Sequence, residues 1–419
     1  YISEDSLSDF KINAHNMLDA LKHRGPDDSG IWLDSKSGVV LGHRRLSVIE
    51  TSKAGYQPMT SSCGRYVIVF NGEIYNHLSL RVELNKIDLL NTSNANFQWR
   101  GGSDTETLLE CISQMGLKKT LKAAVGMFAF ALWDIENQTL SLGRDRFGEK
   151  PLFYGWSQGQ FIFASELKAL KKLPKFNNPI NRDALSLYFQ FTNIPSPYSI
   201  FEDIYKLEPG HFLTLKRSEL SKKVIEVSSY WSLIIEAQRG QNNIIHNDDK
   251  AIEMIDSELR RTLSEQSIAD VPLGAFLSGG IDSSLIVSLL QSQSNKAIQT
   301  FTVGFDEREY DESIYADAVA RHLGTDHHEI RVKSRDAINV IEKLPNLYDE
   351  PFADSSQIPT FLICQAARQN VTVALSGDGG DELFGGYNRY FWGPVLWNRI
   401  KSVSYTHLRA HETVLDLVC

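Results

Sequence analysis

Two short loops carry the residue types that could do chemistry. The first is Ala275-Phe276-Leu277-Ser278-Gly279-Gly280-Ile281-Asp282-Ser283-Ser284, between an apolar run and an amphipathic helical pattern. Adjacent glycines let backbone approach an anion closely and adopt dihedrals closed to other residues. The N-terminus of the following helix offers unpaired N–H groups and the positive end of its dipole. Ser278, Ser283 and Ser284 add hydroxyl donors without charge. Asp282 would repel a bare phosphate, so its expected role is to hold a magnesium ion that bridges phosphates. No lysine follows the glycines, so this is not the common lysine-bearing phosphate loop. A cleavage that releases pyrophosphate suits such a cradle. A turn that only caps a helix is the competing reading, and the strand–loop–helix setting speaks against it.

The second loop, Ala374-Leu375-Ser376-Gly377-Asp378-Gly379-Gly380-Asp381-Glu382-Leu383-Phe384-Gly385-Gly386-Tyr387, also follows an apolar run, Val371–Leu375. Its three carboxylates repel one another and its glycines lose much backbone entropy on ordering. Such a loop is expected where it wraps a ligand at the carboxyl end of a parallel strand. Asp378, Asp381 and Glu382 could bind metal or a substrate amine; a flexible acidic turn is the alternative. Phe301-Thr302-Val303-Gly304-Phe305 reads as a strand whose end could meet an adenine ring, or as an ordinary buried strand. Asp349-Glu350-Pro351-Phe352-Ala353-Asp354 is either a carboxylate-rich wall of a substrate pocket or a solvated turn.

The elements that must position these loops follow from pattern. From about residue 250, helical and strand-like runs alternate: Ala251–Gln266 helix, Val271–Leu277 strand, Ser283–Gln293 helix, Ile298–Val303 strand, Tyr310–Leu323 helix, then strands Glu329–Val332 and Val371–Leu375. Alternation of this kind implies a parallel sheet with covered faces. Residues 1 to about 170 hold short strand-like runs, Tyr66–Phe70, Phe128–Leu132 and Phe161–Ala164. One helix is predicted over 104–115 behind a Ser103/Asp104 cap, which gives an α+β layered fold. Residues 170–250 read as a connector broken by Pro174, Pro179, Pro195, Pro197 and Pro209, with Gln238–Asp249 a polar loop. Beyond Ser402 the pattern stops, and 402–419 reads as a non-native tail.

At 419 residues the chain is long enough for two or three domains. A 42% hydrophobic and 23% charged composition is that of a globular protein, and a formal net charge of -9 argues against a nucleic-acid partner. The four cysteines form no paired spacing, which fits a reduced cytoplasmic compartment. No apolar run approaches the roughly 20 residues that cross a bilayer, and no signal peptide is evident.

Ser278–Ser284 resembles the pyrophosphate loop of N-type ATP pyrophosphatases, and Ser376–Tyr387 resembles a segment of asparagine synthetases. Six stretches of the N-terminal half resemble the motifs of class II (N-terminal nucleophile) glutamine amidotransferases. They are His23–Asp27, His43–Ser47, Asn71–Asn76, Ser103–Glu106, Gly126–Phe130 and Gly143–Gly148. Order and spacing match over roughly residues 15–395, and the chain resembles the glutamine-hydrolysing asparagine synthetases. The resemblance implies a four-layer α/β/β/α sandwich over 1–175, a connector over 176–250 and a parallel α/β domain of the adenine nucleotide α-hydrolase type over 251–401. It implies that Arg45, Leu46, Ser47 and Val48 line a glutamine site. There Arg45 would grip the α-carboxylate, Glu73 and Asp104 the α-ammonium, and Asn71 and Gly72 would form an oxyanion hole. Leu277, Ser278, Gly279, Gly280, Asp282, Ser283, Val303, Ser376 and Gly377 would contact ATP. Asp282 and Asp381 would hold Mg2+, and Asp378 would sit beside an aspartyl-adenylate. Partners would be the small substrates glutamine, aspartate and ATP, with a homodimer as the assembly. A relative that amidates another carboxylate, and a non-catalytic homologue, remain alternatives. In this family the nucleophile is an N-terminal cysteine; the chain opens Tyr1-Ile2-Ser3, and Cys63 and Cys111 do not match that position. A leader strand and a C-terminal region with a catalytic lysine are therefore expected in the parent protein.

Overall fold

The computed structural model of the chain describes residue 2 and residues 7–91, 98–305 and 311–401. They divide into two compact units: Tyr1–Pro272 with Ser334–Cys364, and Leu273–Lys333 with Gln365–Cys419.

The first unit opens with α1 (Leu7–Ala20), the hairpin β1 (Asp28–Asp34) and β2 (Val39–Arg45), and the strands β3 (Met59–Thr60) and β4 (Tyr66–Ile74). Helices α2 (His77–Asn91), α3 (Asp104–Met115) and α4 (Leu117–Ala123) lead to β5 (Gly126–Asp134), β6 (Thr139–Arg144), β7 (Phe153–Ser157) and β8 (Gln160–Ala164). Then come α5 (Leu167–Leu170), α6 (Arg182–Phe191), β9 (Ile204–Lys206), β10 (His211–Lys216), β11 (Glu226–Ser229), α7 (Leu233–Gln241) and α8 (Asp248–Gln266). Six strands pair in the order β11-β10-β6-β5-β4-β3, antiparallel throughout. Facing them are β1-β2 and β8-β7-β9, which Ile2 links by bridging both Val39 and Phe161.

Period-two alternation explains the layers. Along β4 and β5, Val67, Val69, Ala129, Ala131 and Trp133 point into the core between the sheets. Their neighbours Ile68, Phe70, Phe128, Phe130 and Leu132 pack with Leu80, Leu84, Leu108 and Ile112 of α2 and α3. In the other sheet, Val39 and Leu41 face inward while Val40, Phe153 and Ile162 meet Phe10, Ala14 and Met17 of α1. The middles of β4 and β5 are buried on both faces and read as apolar runs, and the unit is an α/β/β/α sandwich.

The second unit holds β12 (Leu273–Phe276), α9 (Ile281–Gln293), β13 (Gln299–Phe305), α10 (Ser313–Leu323) and β14 (Asp326–Val332). After α11 (Ser334–Ile341), α12 (Leu344–Leu347) and α13 (Gln357–Ala367) follow β15 (Val373–Leu375), α14 (Gly380–Phe384) and α15 (Asn388–Ile400). Its four strands are parallel in the order β14-β13-β12-β15.

The expected strand–helix alternation is present with boundaries shifted by a few residues, and the helix predicted over 104–115 is α3. Ser103 takes its N-cap position without a side-chain bond. The connector reading differs from the structure. Within 176–250, β9 joins the first unit's smaller sheet, and β10 and β11 extend its six-stranded one. Gln238–Asp249 is a loop only over 242–247, since α7 runs to Gln241 and α8 starts at Asp248. The segment 402–419 lies outside the described residues. No helix among them is long and apolar enough to cross a membrane.

Candidate functional site

A cavity of about 430 Å3 opens in the first unit, lined by Arg45, Asn71, Gly72, Glu73, Asp104 and Lys150 among others. Leu46 and Val48 also line it. Ser47 does not; its amide donates to Asp27 Oδ2 at 2.8 Å. Arg45 closes β2 and is buried. Its Nη1 donates to Ser52 O at 3.2 Å, and its Nη2 to Ile49 O at 3.4 Å and to Glu50 O. Three carbonyls thus fix the guanidinium and leave others of its five N–H donors for a ligand. A Cβ at Gly55 would overlap Arg45 Nη2, so only glycine fits there.

Asn71, Gly72 and Glu73 lie inside β4 opposite Ala129, Phe128 and Met127 of β5, so Asn71-Gly72 is not a hairpin turn. Gly72 is required by packing, because a Cβ there would run into Met127 O and lie 2.6 Å from Phe128 Cα. Asn71 Nδ2 donates to Ser165 Oγ at 3.4 Å. Asp104, the first residue of α3, accepts the amides of Ile74 at 2.9 Å and Thr105 at 2.8 Å. Burial pushes its carboxyl above the usual range. Burial, then repulsion from Asp104, pushes Glu73 up to about 7, with Lys150 opposing. Two crowded carboxyl groups in one cavity favour a cationic ligand beside them.

Lys150 went unassigned in the sequence. It lines the same cavity, and burial lowers its pKa. The fully buried Asp145 places it by accepting four amides, those of Phe128 at 3.1 Å and of Phe147, Glu149 and Lys150 at 3.0 Å each. Its only sequence signal is its place two residues beyond the Gly143–Gly148 stretch. Cys63 and Cys111 bring no nucleophile to the cavity: Cys111 is buried in α3, where burial pushes its thiol up to about 12, and Cys63 is not among the lining residues.

In the second unit the chain turns both ways from β12, to β13 on one side and β15 on the other. The carboxyl ends of β12 and β15 therefore flank a topological switch point, where open parallel sheets bind ligands. The loop after β12 is built for close approach. Gly279 has φ 82°, and a Cβ there would lie 2.6 Å from Tyr315 Cβ. Ser278 Oγ and Ser283 Oγ are 2.9 Å apart, and the Gly280 amide donates to Ser278 Oγ at 3.2 Å. The loop after β15 meets it directly. A Cβ on Gly377 would lie 2.9 Å from Ser283 N, and one on Gly380 would lie 2.5 Å from Asp282 Oδ2. Ser376 Oγ donates to Asp378 Oδ2 at 3.0 Å. Ser278, Gly279, Gly280, Asp282, Ser283, Ser376, Gly377 and Asp378 are thus gathered by two touching loops, with Leu277 at the end of β12 bonded to Phe301 O at 2.9 Å. Val303 lies on β13, paired with Ile330 of β14.

Among the described residues no group of three or more His, Cys, Asp or Glu is placed to hold a metal ion. Mg2+ needs only one or two carboxylates when phosphates supply further ligands. Asp282, which lies against the backbone of the residue before Asp381, fits that donor set. The first two carboxylates of the Asp349–Asp354 loop are taken up in ion pairs within the first unit. Asp349 pairs with Lys168 at 3.4 Å and Glu350 with Lys206 at 2.5 Å, and all four side chains are largely buried.

Comparison with known proteins finds relatives for both halves of the chain. The family model for a glutamine amidotransferase domain covers residues 4–231, over half of the chain. The one for asparagine synthase covers 254–416, which takes in most of the segment set aside as a tail. A Methanocaldococcus jannaschii protein, provisionally named asparagine synthetase (glutamine-hydrolyzing) 2, is 38% identical over 91% of this chain and 74% of its own length. The chain belongs to the glutamine-hydrolysing asparagine synthetase family. Asparagine synthetase (glutamine-hydrolyzing) 1 of Bacillus subtilis is 34% identical over 89% of this chain and 55% of its own. A Mycobacterium bovis protein with a provisional name of the same kind is 37% identical over 88% and 56%. The chain thus spans between about half and three quarters of these synthetases' lengths.

Proposed function

We propose that this chain carries the glutamine-binding and aspartate-activating units of an enzyme that makes asparagine from aspartate with ATP and glutamine. In this reading the cavity of the first unit binds the glutamine whose side-chain amide is the source of ammonia. Arg45 holds the α-carboxylate, Glu73 and Asp104 hold the α-ammonium, and Asn71 and Gly72 stabilise the oxyanion. Leu46, Ser47 and Val48 form the strip after Arg45, with Ser47 acting through its backbone link to Asp27. The second unit activates the aspartate β-carboxylate as an adenylate with loss of pyrophosphate, and ammonia attacks that adenylate. Ser278–Ser283, Ser376 and Gly377 cradle the phosphates. Leu277 and Val303 border the adenosine, and Asp378 faces the acyl group. Asp282 and Asp381 would hold Mg2+, which offsets phosphate charge. Residues 1–175 together with β9–β11 form the amidotransferase domain, and the ligase domain is built around 251–401. Cys63 and Cys111, which form no disulfide, suit a reducing cytoplasm.

The observation that carries the reading is the direct contact of the two glycine loops at the switch point, Gly377 and Gly380 lying on Asp282 and Ser283. Aspartate-dependent exchange of pyrophosphate into ATP tests it against a panel of other carboxylates. Exchange should require aspartate, and Asp282→Ala should abolish it. Exchange with a different carboxylate only, or undiminished exchange by the Asp282→Ala protein, would refute the assignment.

A further inference from the structure

Glu50 uses every polar group it has. Its carbonyl accepts from Arg45 Nη2. Its amide donates to Asp270 Oδ2 at 2.8 Å, while the Asp270 amide donates to Val48 O at 2.9 Å. Carboxylate Oε1 accepts the Ser52 amide at 3.1 Å, and Oε2 accepts the Gly102 amide at 2.7 Å. Hydrogen bonds from Ser52 and then from the Gly102 amide hold the carboxyl below the usual carboxylate range.

The backbone of Glu50 is left-handed, φ 60°, a conformation rarely held by a residue other than glycine. It persists because both ends of the residue are tied. The other side of the link is equally specific. A Cβ on Gly101 would lie 2.5 Å from Glu50 Oε2, so a side chain there would displace the carboxylate. Arg81 holds the same stretch from α2, through Gly101 O at 2.8 Å and Ser103 O at 2.9 Å, and Asp104 follows at once.

One residue therefore touches the side chain that grips one end of the substrate amino acid, and also braces the turn that delivers the carboxylate for the other end. We propose that Glu50 is a positioning residue that sets the spacing between the Arg45 and Asp104 grips, and so selects ligands carrying both an α-carboxylate and an α-ammonium. This rests on the glutamine-site reading above. Glu50 touches no substrate atom; it acts through the Ser52 and Gly102 amides and the Arg45 guanidinium. A ligand held at one end only is indifferent to the spacing, whereas one held at both ends is not.

Calorimetric titration of the protein with L-glutamine, 4-aminobutanamide (no α-carboxylate) and glutaramic acid (no α-amine) separates the cases. Glu50→Gln should weaken L-glutamine about tenfold, the scale of one lost charge-assisted hydrogen bond, and each one-ended analogue less than about twofold. Glu50→Ala, which brings no misplaced amide, should show the same selectivity, with the thermal midpoint reporting that either variant is folded. Equal loss for all three ligands, or no loss for glutamine, overturns the proposal. Arg45→Ala and Asp104→Asn are run alongside. If they abolish glutamine binding while Glu50→Gln is silent, only the positioning role fails; if they leave it intact, the glutamine site itself is misassigned.

Discussion

Glu73 is favoured neutral by its surroundings, yet an ammonium ligand needs it charged. Burial and Asp104 place its pKa at about 7 instead of the ordinary 4.5. A bound ammonium favours the ionised form, so below pH 7 binding must expel a proton. Glutamine affinity is expected to fall as pH drops below about 7, approaching tenfold per unit, and Glu73→Gln should flatten that dependence. Stability moves oppositely. A folded-state pKa above the unfolded value gives a contribution that is complete below 4.5 and lost as pH rises through 7. Glu73→Gln should therefore stabilise the fold at pH 8 by on the order of 2 kcal/mol, fading towards pH 4.5. Urea denaturation at the two pH values reads this, and equal effects at both would show that Glu73 titrates normally. Asn71, Glu73 and Asp104 were named through the resemblance of their motifs to a family, and the structure brings all three to one cavity. Lys150 and Glu50 were not legible in the sequence, since their roles come from amides that tertiary structure brings to Asp145 and to the Glu50 carboxylate.

At the scale of elements, strands β4 and β5 were legible as apolar runs because both their faces are buried. The connector reading failed for a definite reason. Pro179 precedes α6, Pro195 and Pro197 fall between α6 and β9, and Pro209 falls between β9 and β10, so these prolines bracket elements and do not break them. The strands they flank are as short as three residues and pair with distant partners such as β6 and β7, which no local pattern encodes. The glycine loops were legible as chemistry, but their mutual contact was not, since β12 and β15 are about a hundred residues apart in the chain. That contact makes a sharp prediction. Gly380→Ala would put a Cβ 2.5 Å from Asp282 Oδ2, so aspartate-dependent pyrophosphate exchange should drop at least tenfold while glutamine binding is unchanged. Gly393→Ala, where nothing lies within 4 Å, is the matched control and should leave exchange intact. Equal activity in the two variants would show that the loops move apart freely and that Asp282 is not held by the β15 loop.

On the scale of the whole chain, the telling segment is Ser334–Cys364. It interrupts the parallel-sheet half in sequence, yet it folds with the first unit. Buried ion pairs tie it there. Lys168 Nζ bonds Asp349 and the carbonyls of Asn346 and Leu347, while Glu350 pairs with Lys206 and accepts the Ile200 amide at 2.7 Å. Burial raises the Glu350 pKa and Lys206 pulls it back down. Removing that lysine strands a buried carboxylate, a change that typically costs about 3–5 kcal/mol, whereas replacing both partners with apolar groups is often neutral. Lys206→Met should therefore speed amide hydrogen exchange in residues 178–206 and 344–352 but not in β12 and β13. Lys206→Met/Glu350→Met should restore most of the protection, because no charge is then left without a partner. Faster exchange confined to 273–305 in the single variant would mean that the segment is anchored by the parallel sheet. A double variant no better than the single would mean that the hydrogen bond from Ile200, and not the charge pair, carries the attachment.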